Sequence, residues 1–483
     1  MNNLPDDFVS YTKKVMGDSR FASFIGSFDH EPPVSIRINR RKLNIENGKL
    51  NCCALTSGAA IQPSTFNVQP LTSHLSPLTP VSWCSDAFYL DHRPQFTFDP
   101  LLHAGCYYVQ EASSMFIDRV LRQHIDEPVV MLDLCAAPGG KSTAAIAALP
   151  DGSILVSNEP VRTRANILAE NITKWGAGNV IVTNSYPKDI AASRVAFDVV
   201  LCDVPCSGEG MFRKDDGAIG EWSVANVDKC WRLQREIVAE AWKVLKPGGI
   251  LVYSTCTFNL RENEENVCWI IDELQAEPLA VDVEAEWNIT SSLLDGFDAP
   301  VYRFIPGVTR GEGLFMAVLR KGEGESPSCS HRGEGRRKKQ GAQASRLRSS
   351  LPLSGDNWHQ MEHGDNILAL PKELVPVYEA LVAARVRIVK AGVAVWTVKG
   401  KDIVPDIELA LSTQLAADSF PKYDADLDLA LAYLRKEAIV LPPDVPKGYV
   451  LITYEGHRLG FAKNLGNRAN NLYPQEWKIR SRQ

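Results

Sequence analysis

The sequence predicts an α/β chain built on a mostly parallel sheet with covering helices, flanked by smaller modules. Three observations predict it. Short apolar runs (VVMLDL, SILVSNE, NVIVTN, FDVVLCD and GGILVYST) alternate with amphipathic stretches between residues 101 and 321, the pattern of parallel strands and crossover helices. Two later runs, YRFI and GLFMAVLRK, are separated by Pro306 and glycines, which suits an antiparallel pair closing the sheet edge. The chain has 483 residues, 45% of them apolar and 23% charged, enough for two to four domains at about 100 to 200 residues each. That composition excludes disorder along the whole length.

Residues 1–100 combine a helical stretch, DDFVSYTKKVMGDSRFASFIGSF, with short strand-like pieces such as VSIRIN, a small α+β module expected to touch nucleic acid. Within 101–321 the clearest helix carries Val227, Trp231, Val238, Ala241, Trp242 and Leu245 on one face and is ended by Pro247-Gly248-Gly249. A second helix, NEENVCWIIDEL, follows the last parallel strand. Residues 322–355 are rich in Gly, Ser, Arg and Lys and read as a basic flexible linker. Globular composition returns in an intermediate module, 356–425, and a last module, 426–483, strand-rich around GYVLITYEGHRLGFAKNL.

The net charge is −6, so the total does not favour nucleic acid, but its distribution does. Residues 35–50 (Arg37, Arg40, Arg41, Lys42 and Lys49 against Glu46) carry a balance of plus 4, residues 321–350 plus 5 and residues 462–483 plus 4. Brought together, these segments would form one electropositive track. The chain opens MNNLPDD, with no basic targeting pattern, and no apolar run approaches the roughly 18 residues of a membrane span. Eleven cysteines without a CxxC pair point to reduced thiols, no metal and a cytoplasmic protein.

The most informative stretch is MLDLCAAPGGKST, a strand, a turn of small residues and a helix start. Small residues let backbone approach a ligand, and a helix N-terminus favours anionic groups. A nucleotide-phosphate loop would need glycine where Cys135 stands, and the GxGxxG of a dinucleotide fold is absent. What remains is Asp133 followed by alternating small residues (Cys135, Ala137 and Gly139), which resembles the S-adenosylmethionine loop of Rossmann-like methyltransferases. That assigns Cys135, Ala136, Ala137, Pro138, Gly139, Gly140 and Lys141 to the cofactor. Glu159 ends the next strand, where a carboxylate can accept hydrogen bonds from ribose hydroxyls.

Two further loops should leave the same carboxyl edge. In FDVVLCDVPCSGEGMFRKD, Asp203 and Cys206 lie just beyond a strand; in GGILVYSTCTFNLRENEENV, Cys256 lies in the same place beyond the next. Carbon 5 of cytosine is a poor nucleophile. A thiolate adding to carbon 6 turns the ring into an enamine able to accept a methyl group. A carboxylic group beside the ring can hydrogen-bond its Watson–Crick edge. Afterwards the carbon 5 proton must leave and the thiol be expelled, which is work for a second thiol.

DLCAAPGGK, DVPCSGEGMFRKD and YSTCTFNLRENE together resemble the motifs of the Nop2/Sun family of RNA cytosine-5 methyltransferases. The resemblance implies a seven-stranded Rossmann-like core, Cys256 of the Thr-Cys motif as nucleophile and Cys206 of the Pro-Cys motif as the residue assisting release. DNA cytosine-5 methyltransferases attack through the Pro-Cys cysteine, so the Thr-Cys motif argues for RNA. YYVQEASSM (Gln110 to Ser114) is similar to the segment packed against the cofactor domain, and Arg37 and Asn39 match an N-terminal Arg-x-Asn element. The ending GFAKNLGNRANNLYPQEWKIR is similar to the PUA-like end of a branch acting on small-subunit ribosomal RNA. One departure stands out: Tyr186 occupies the position of an adenosine-contacting Asp, with Asn184 and Asp189 as neighbours. Lys141 and Arg213 are candidate supporting groups.

The expectation is thus a monomeric, S-adenosylmethionine-dependent enzyme forming 5-methylcytidine in structured RNA, favouring 16S ribosomal RNA, naked or within the 30S subunit, with neither membrane nor metal involved. Transfer RNA is the rival substrate, and an inactive RNA-binding assembly factor the rival class.

Overall fold

The computed structural model describes residues 4–46, 49–51, 78–324, 351–400 and 402–481. The N-terminal module comprises α1 (Asp6–Gly26), β1 (Val34–Ile38), β2 (Leu78–Val81), β3 (Cys84–Leu90) and β4 (Tyr107–Val109), the strands forming one sheet in the order β2-β3-β1-β4. The module therefore extends past residue 100, because β4 pairs with β1 through Ile36↔Val109.

The central domain follows as α2 (Phe116–His124), β5 (Val130–Asp133), α3 (Gly140–Ala148), β6 (Ile154–Asn158), α4 (Arg162–Trp175), β7 (Val180–Thr183), α5 (Pro187–Ala192), β8 (Phe197–Asp203), α6 (Val224–Val244), β9 (Leu245–Thr255), α7 (Glu264–Leu274), β10 (Ala276–Leu279), β11 (Val301–Phe304) and β12 (Leu314–Lys321). Strands β5 to β9 run parallel and are buried on both faces, which is why they read as continuous apolar runs. The expected antiparallel pair is β11 with β12, and β12 also lies antiparallel to β9.

The C-terminal half contains β13 (Trp358–His363), β14 (Asn366–Pro371), α8 (Leu374–Ala383), β15 (Ile388–Ala391), β16 (Val393–Lys399) and β17 (Asp402–Pro405), then β18 (Lys422–Ala425), α9 (Leu427–Leu434), β19 (Gly448–Tyr454), β20 (His457–Asn464) and β21 (Ala469–Asn471). Two four-stranded sheets result, β13-β14-β16-β17 and β18-β19-β20-β21. Strand β15 joins neither: it pairs antiparallel with β7, so the central sheet runs β10-β12-β9-β8-β5-β6-β7-β15, with β11 alongside β12. The sheet has nine strands rather than the expected seven, one of them supplied by the intermediate module. Most of the expected linker, residues 325–350, lies outside the described residues.

The basic N-terminal segment corrects an expectation. Arg37 is fully buried: its guanidinium donates to Gln110 Oε1 at 3.0 Å and to Thr143 Oγ1 at 2.6 Å, and stacks 4.5 Å over Trp175. Lys42 donates to the carbonyls of Ala104 and Lys174, and burial pushes its ammonium down to about 7. Arg40 pairs with Asp86, and Arg41 with Asp151 at 2.9 Å. The Lys49 side chain lies outside the described residues. Arg40 is thus paired within the module itself, while Arg37, Arg41 and Lys42 fasten the module to the central domain. Asn39 does likewise, its amide donating to the carbonyls of Gly105 and Trp175.

Candidate active site

The carboxyl edge of a parallel sheet is where α/β folds bind ligands, and all four sequence-selected stretches converge there. After β5 the chain turns through Cys135–Pro138 and enters α3 at Gly140, with Gly139 at φ +115°. The turn therefore requires glycine for its conformation, and a side chain there would also press on Leu168 of α4 at 3.2 Å. Gln110 Nε2 donates to Ser114 Oγ at 3.1 Å while its carbonyl oxygen receives Arg37. The Gln110–Ser114 segment thereby braces α3.

Neighbouring loops are tied to this turn. Ala136 N donates to Asn158 O at 2.8 Å, Arg164 reaches Ala137 O at 3.0 Å, and Asn184 Nδ2 donates to the carbonyls of Glu159 and Pro160 at 2.8 Å each. Glu159 is buried, one oxygen accepting from Val161 N at 2.9 Å and the other 3.4 Å from Arg164. Asn184 is thus engaged with backbone, and Asp189 caps α5 by accepting from Tyr186 N. Tyr186 itself is 64% exposed at this rim, with its ring free to meet a ligand.

Asp133 is completely buried. Its Oδ2 accepts from Ser142 Oγ at 2.6 Å, but Oδ1 has no hydrogen-bond partner. Burial pushes its carboxyl up to about 7, with the Ser142 bond opposing and the Asp203 charge adding. A buried acceptor left open at a glycine turn fits a ligand that brings a donor, so these residues suit S-adenosylmethionine. The raised pKa has a consequence for stability. The fold favours the protonated acid, so that contribution is complete below the ordinary value near 3.8 and is lost as pH rises through about 7. Asp133→Asn should make the fall in urea stability between pH 4.5 and 7.5 shallower than in the parent; an identical slope would contradict the assignment.

Asp203 is held at two points: Oδ2 accepts from Lys141 Nζ at 2.8 Å and Oδ1 from Ser254 Oγ at 2.7 Å, with the carboxyl partly open to solvent. Burial would lower the Lys141 ammonium, but Asp203 outweighs it and the net shift is upward, so Lys141 keeps its proton. Beyond β8 and β9, Cys206 Sγ and Cys256 Sγ stand 3.1 Å apart, both half-buried. The hydrogen bond to Cys256 and then burial push the Cys206 thiol well above its ordinary range, so it keeps its proton. Cys135 is half-buried in the turn, its thiol also pushed up by burial.

Residues beneath the thiols were not selected from sequence. Glu209 accepts from Phe258 N (2.7 Å), Asn259 N (3.0 Å), Asn259 Nδ2 (2.9 Å) and Trp222 Nε1 (3.0 Å); Glu262 accepts from Ser207 N (3.0 Å), Asn259 Nδ2 (2.8 Å) and Gln234 Nε2 (2.6 Å). Gly210 N donates to Cys256 O at 2.8 Å, and any side chain at Gly210 would collide with that carbonyl. The two cysteine loops are therefore one rigid unit. Arg213 pairs with buried Glu312 and reaches His30 O at 2.9 Å, fixing the end of the loop rather than facing a substrate.

Comparison with known proteins agrees along the chain. Residues 119–320 match the model for the 16S rRNA methyltransferase RsmB/F, residues 420–479 that for the methyltransferase RsmF PUA domain, and residues 55–112 that for the N-terminal domain of 16S rRNA methyltransferase RsmF. Proteins named ribosomal RNA small subunit methyltransferase F are similar over nearly the whole length: that of Klebsiella pneumoniae is 30% identical across 98% of this chain and 96% of its own, and that of an Enterobacter species 28% identical across 98% and 95%. Among solved structures, NSun6 from Pyrococcus horikoshii with SFG has a TM-score of 0.52 at 19% identity over 66% of this chain and 99% of that one; a methyltransferase homologue protein from the same organism has a TM-score of 0.51 at 24% identity over 66% and 100%. At these identities the likeness is one of fold. No helix among the described residues is long and apolar enough to cross a membrane, and no group of three His, Cys, Asp or Glu residues among them could hold a metal ion.

Proposed function

Because the chain belongs to the ribosomal RNA small subunit methyltransferase F family, S-adenosylmethionine-dependent enzymes acting on 16S rRNA, we propose that it forms 5-methylcytidine in that RNA through a covalent adduct on Cys256. The observation that carries the reading is the 3.1 Å approach of the Cys206 and Cys256 sulfurs beside a fixed Asp203–Lys141 pair. The cofactor, when bound, supplies an electrophilic methyl group. The turn 135–140, Asp133, Glu159 and Tyr186 would hold it.

The target cytidine must leave its stack to reach Cys256. Cys256 Sγ, its thiol proton lost to solvent water, forms a bond to carbon 6, and electron density moves to carbon 5, which takes the methyl group. Asp203, held by Lys141 and Ser254, faces the ring and hydrogen-bonds its polar edge. Lys141 keeps that carboxylate aimed. Cys206 is protonated in the resting site because Cys256 lies against it. Once Cys256 is a thioether, that hydrogen bond is gone and Cys206, half-buried, releases its proton to solvent water. It can then take the carbon 5 proton, after which the C6–S bond breaks and the aromatic ring is restored.

The test is bisulfite sequencing of 16S rRNA from cells with and without the chain. One cytosine protected from conversion in the parent should convert fully in its absence and regain protection on complementation. An unchanged conversion pattern throughout 16S rRNA would refute the proposal.

A further inference from the structure

The expected electropositive track named three segments, and none included the intermediate module. Its strand β15 nevertheless lies against β7, the strand whose end carries Asn184, Ser185 and Tyr186. The junction is specific: Ile388 is in register with Thr183, Asn184 N donates to Arg387 O at 2.8 Å, and Arg387 N donates to Ser185 Oγ at 3.2 Å. Residues just before β15 are therefore locked at the carboxyl edge of the catalytic sheet. Those residues are Arg385 and Arg387, both exposed, and the segment they are bonded to, Asn184–Ser185, runs on directly to exposed Tyr186 and Lys188.

Two further observations describe this cluster. The described cations of the N-terminal segment are all engaged internally, whereas the side chains of Arg385, Arg387 and Lys188 have no ion-pair or hydrogen-bond partner among the described residues, in a chain of net charge −6. Arg385 also ends α8 in the left-handed conformation at φ +62°, with Arg385 N donating to Val382 O and Val386 N to Leu381 O. Glycine or asparagine usually takes that position, and a long side chain there is strained.

We propose that Arg385 and Arg387, with Lys188, form an RNA phosphate clamp which the intermediate module contributes to the catalytic rim. From β9, which Cys256 directly follows, to β15 is five strand steps, about 24 Å at the usual interstrand spacing. The clamp thus holds backbone flanking the target, while the base itself is at the thiols. Guanidinium groups suit phosphate oxygens in geometry as well as charge, and Tyr186 beside them offers a face for an unstacked base as well as for the cofactor. The inference rests on the reading of 16S RNA as substrate and deepens it by naming where its backbone lies.

The test uses the full-length chain and a 16S rRNA transcript, measuring dissociation constants over a series of KCl concentrations. Replacing both Arg385→Ala and Arg387→Ala should weaken binding at low salt by about tenfold. It should also reduce the log–log salt slope by roughly 1.4, about 0.7 for each single-stranded phosphate no longer neutralised. S-adenosylmethionine affinity, read by equilibrium dialysis, should stay within twofold. The Arg385→Lys, Arg387→Lys variant should keep most of the slope, which shows that charge rather than local structure is read. An unchanged slope in the alanine variant overturns the clamp, and so does a loss confined to cofactor affinity. Methyl transfer by the parent chain is scored separately, so failure of the chemical reading stays distinguishable from failure of the clamp.

Discussion

Cys256→Ala should abolish methyl transfer to 16S rRNA, a loss on the order of 10⁴-fold or more, as when a covalent nucleophile is removed from its catalytic unit. S-adenosylmethionine should still bind. The substitution removes one half-exposed sulfur and leaves the Gly210 N–H to residue 256 carbonyl bond in place, so the loop keeps its shape. The cofactor turn leaves β5, two strands away from β9. Cys206 does not substitute, because it lies on a different loop that Glu262 holds through Ser207 N. Equilibrium dialysis against radiolabelled cofactor, followed by filter capture of labelled RNA, reads both quantities; normal turnover would end the assignment.

Cys206→Ala should give the opposite failure. Bond formation at carbon 6 and methylation need Cys256, so they proceed, but the step that removes the carbon 5 proton lacks its base. Protein should accumulate on RNA as a complex that survives denaturant and is sensitive to ribonuclease, with most of the enzyme trapped after one turnover. A gel shift under denaturing conditions measures it. The contrast between the two variants matters more than either alone: a packing role for the thiol pair would make both variants weak and neither trapped. Release of free, methylated RNA at the parent rate by Cys206→Ala would reduce that residue to a neighbour in the wall.

The parts of this molecule legible in sequence are those set by local pattern. Strands β5 to β9 are apolar runs because both faces are covered, and the turn at 135–140 shows its small residues directly. Cys206, Cys256 and Asp203 could be placed at one edge because parallel strands all present their carboxyl ends together. What escaped is long-range. Nothing in IVKA distinguishes a strand of its own module from one that joins β7, some 200 residues earlier, since edge pairing is chosen by backbone rather than side chain. Arg37 looks like a surface cation until Gln110, Thr143 and Trp175 are seen around it. Glu209 and Glu262 stood inside quoted motifs without a role, because a buried carboxylate is recognised only by the donors that converge on it. A signal was present in their spacing: acids directly after each cysteine loop, beside Asn259, where small residues and amides recur.

The borrowed strand has a consequence for how the chain is made. During synthesis the outer edge of β7 emerges long before residue 388, so its backbone N–H and C=O groups wait without partners. An open edge of Val-Ile-Val-Thr is a template for wrong pairing between chains. The catalytic domain is thus complete in sequence by residue 321 yet unsealed, and its last stitch comes from a module translated afterwards.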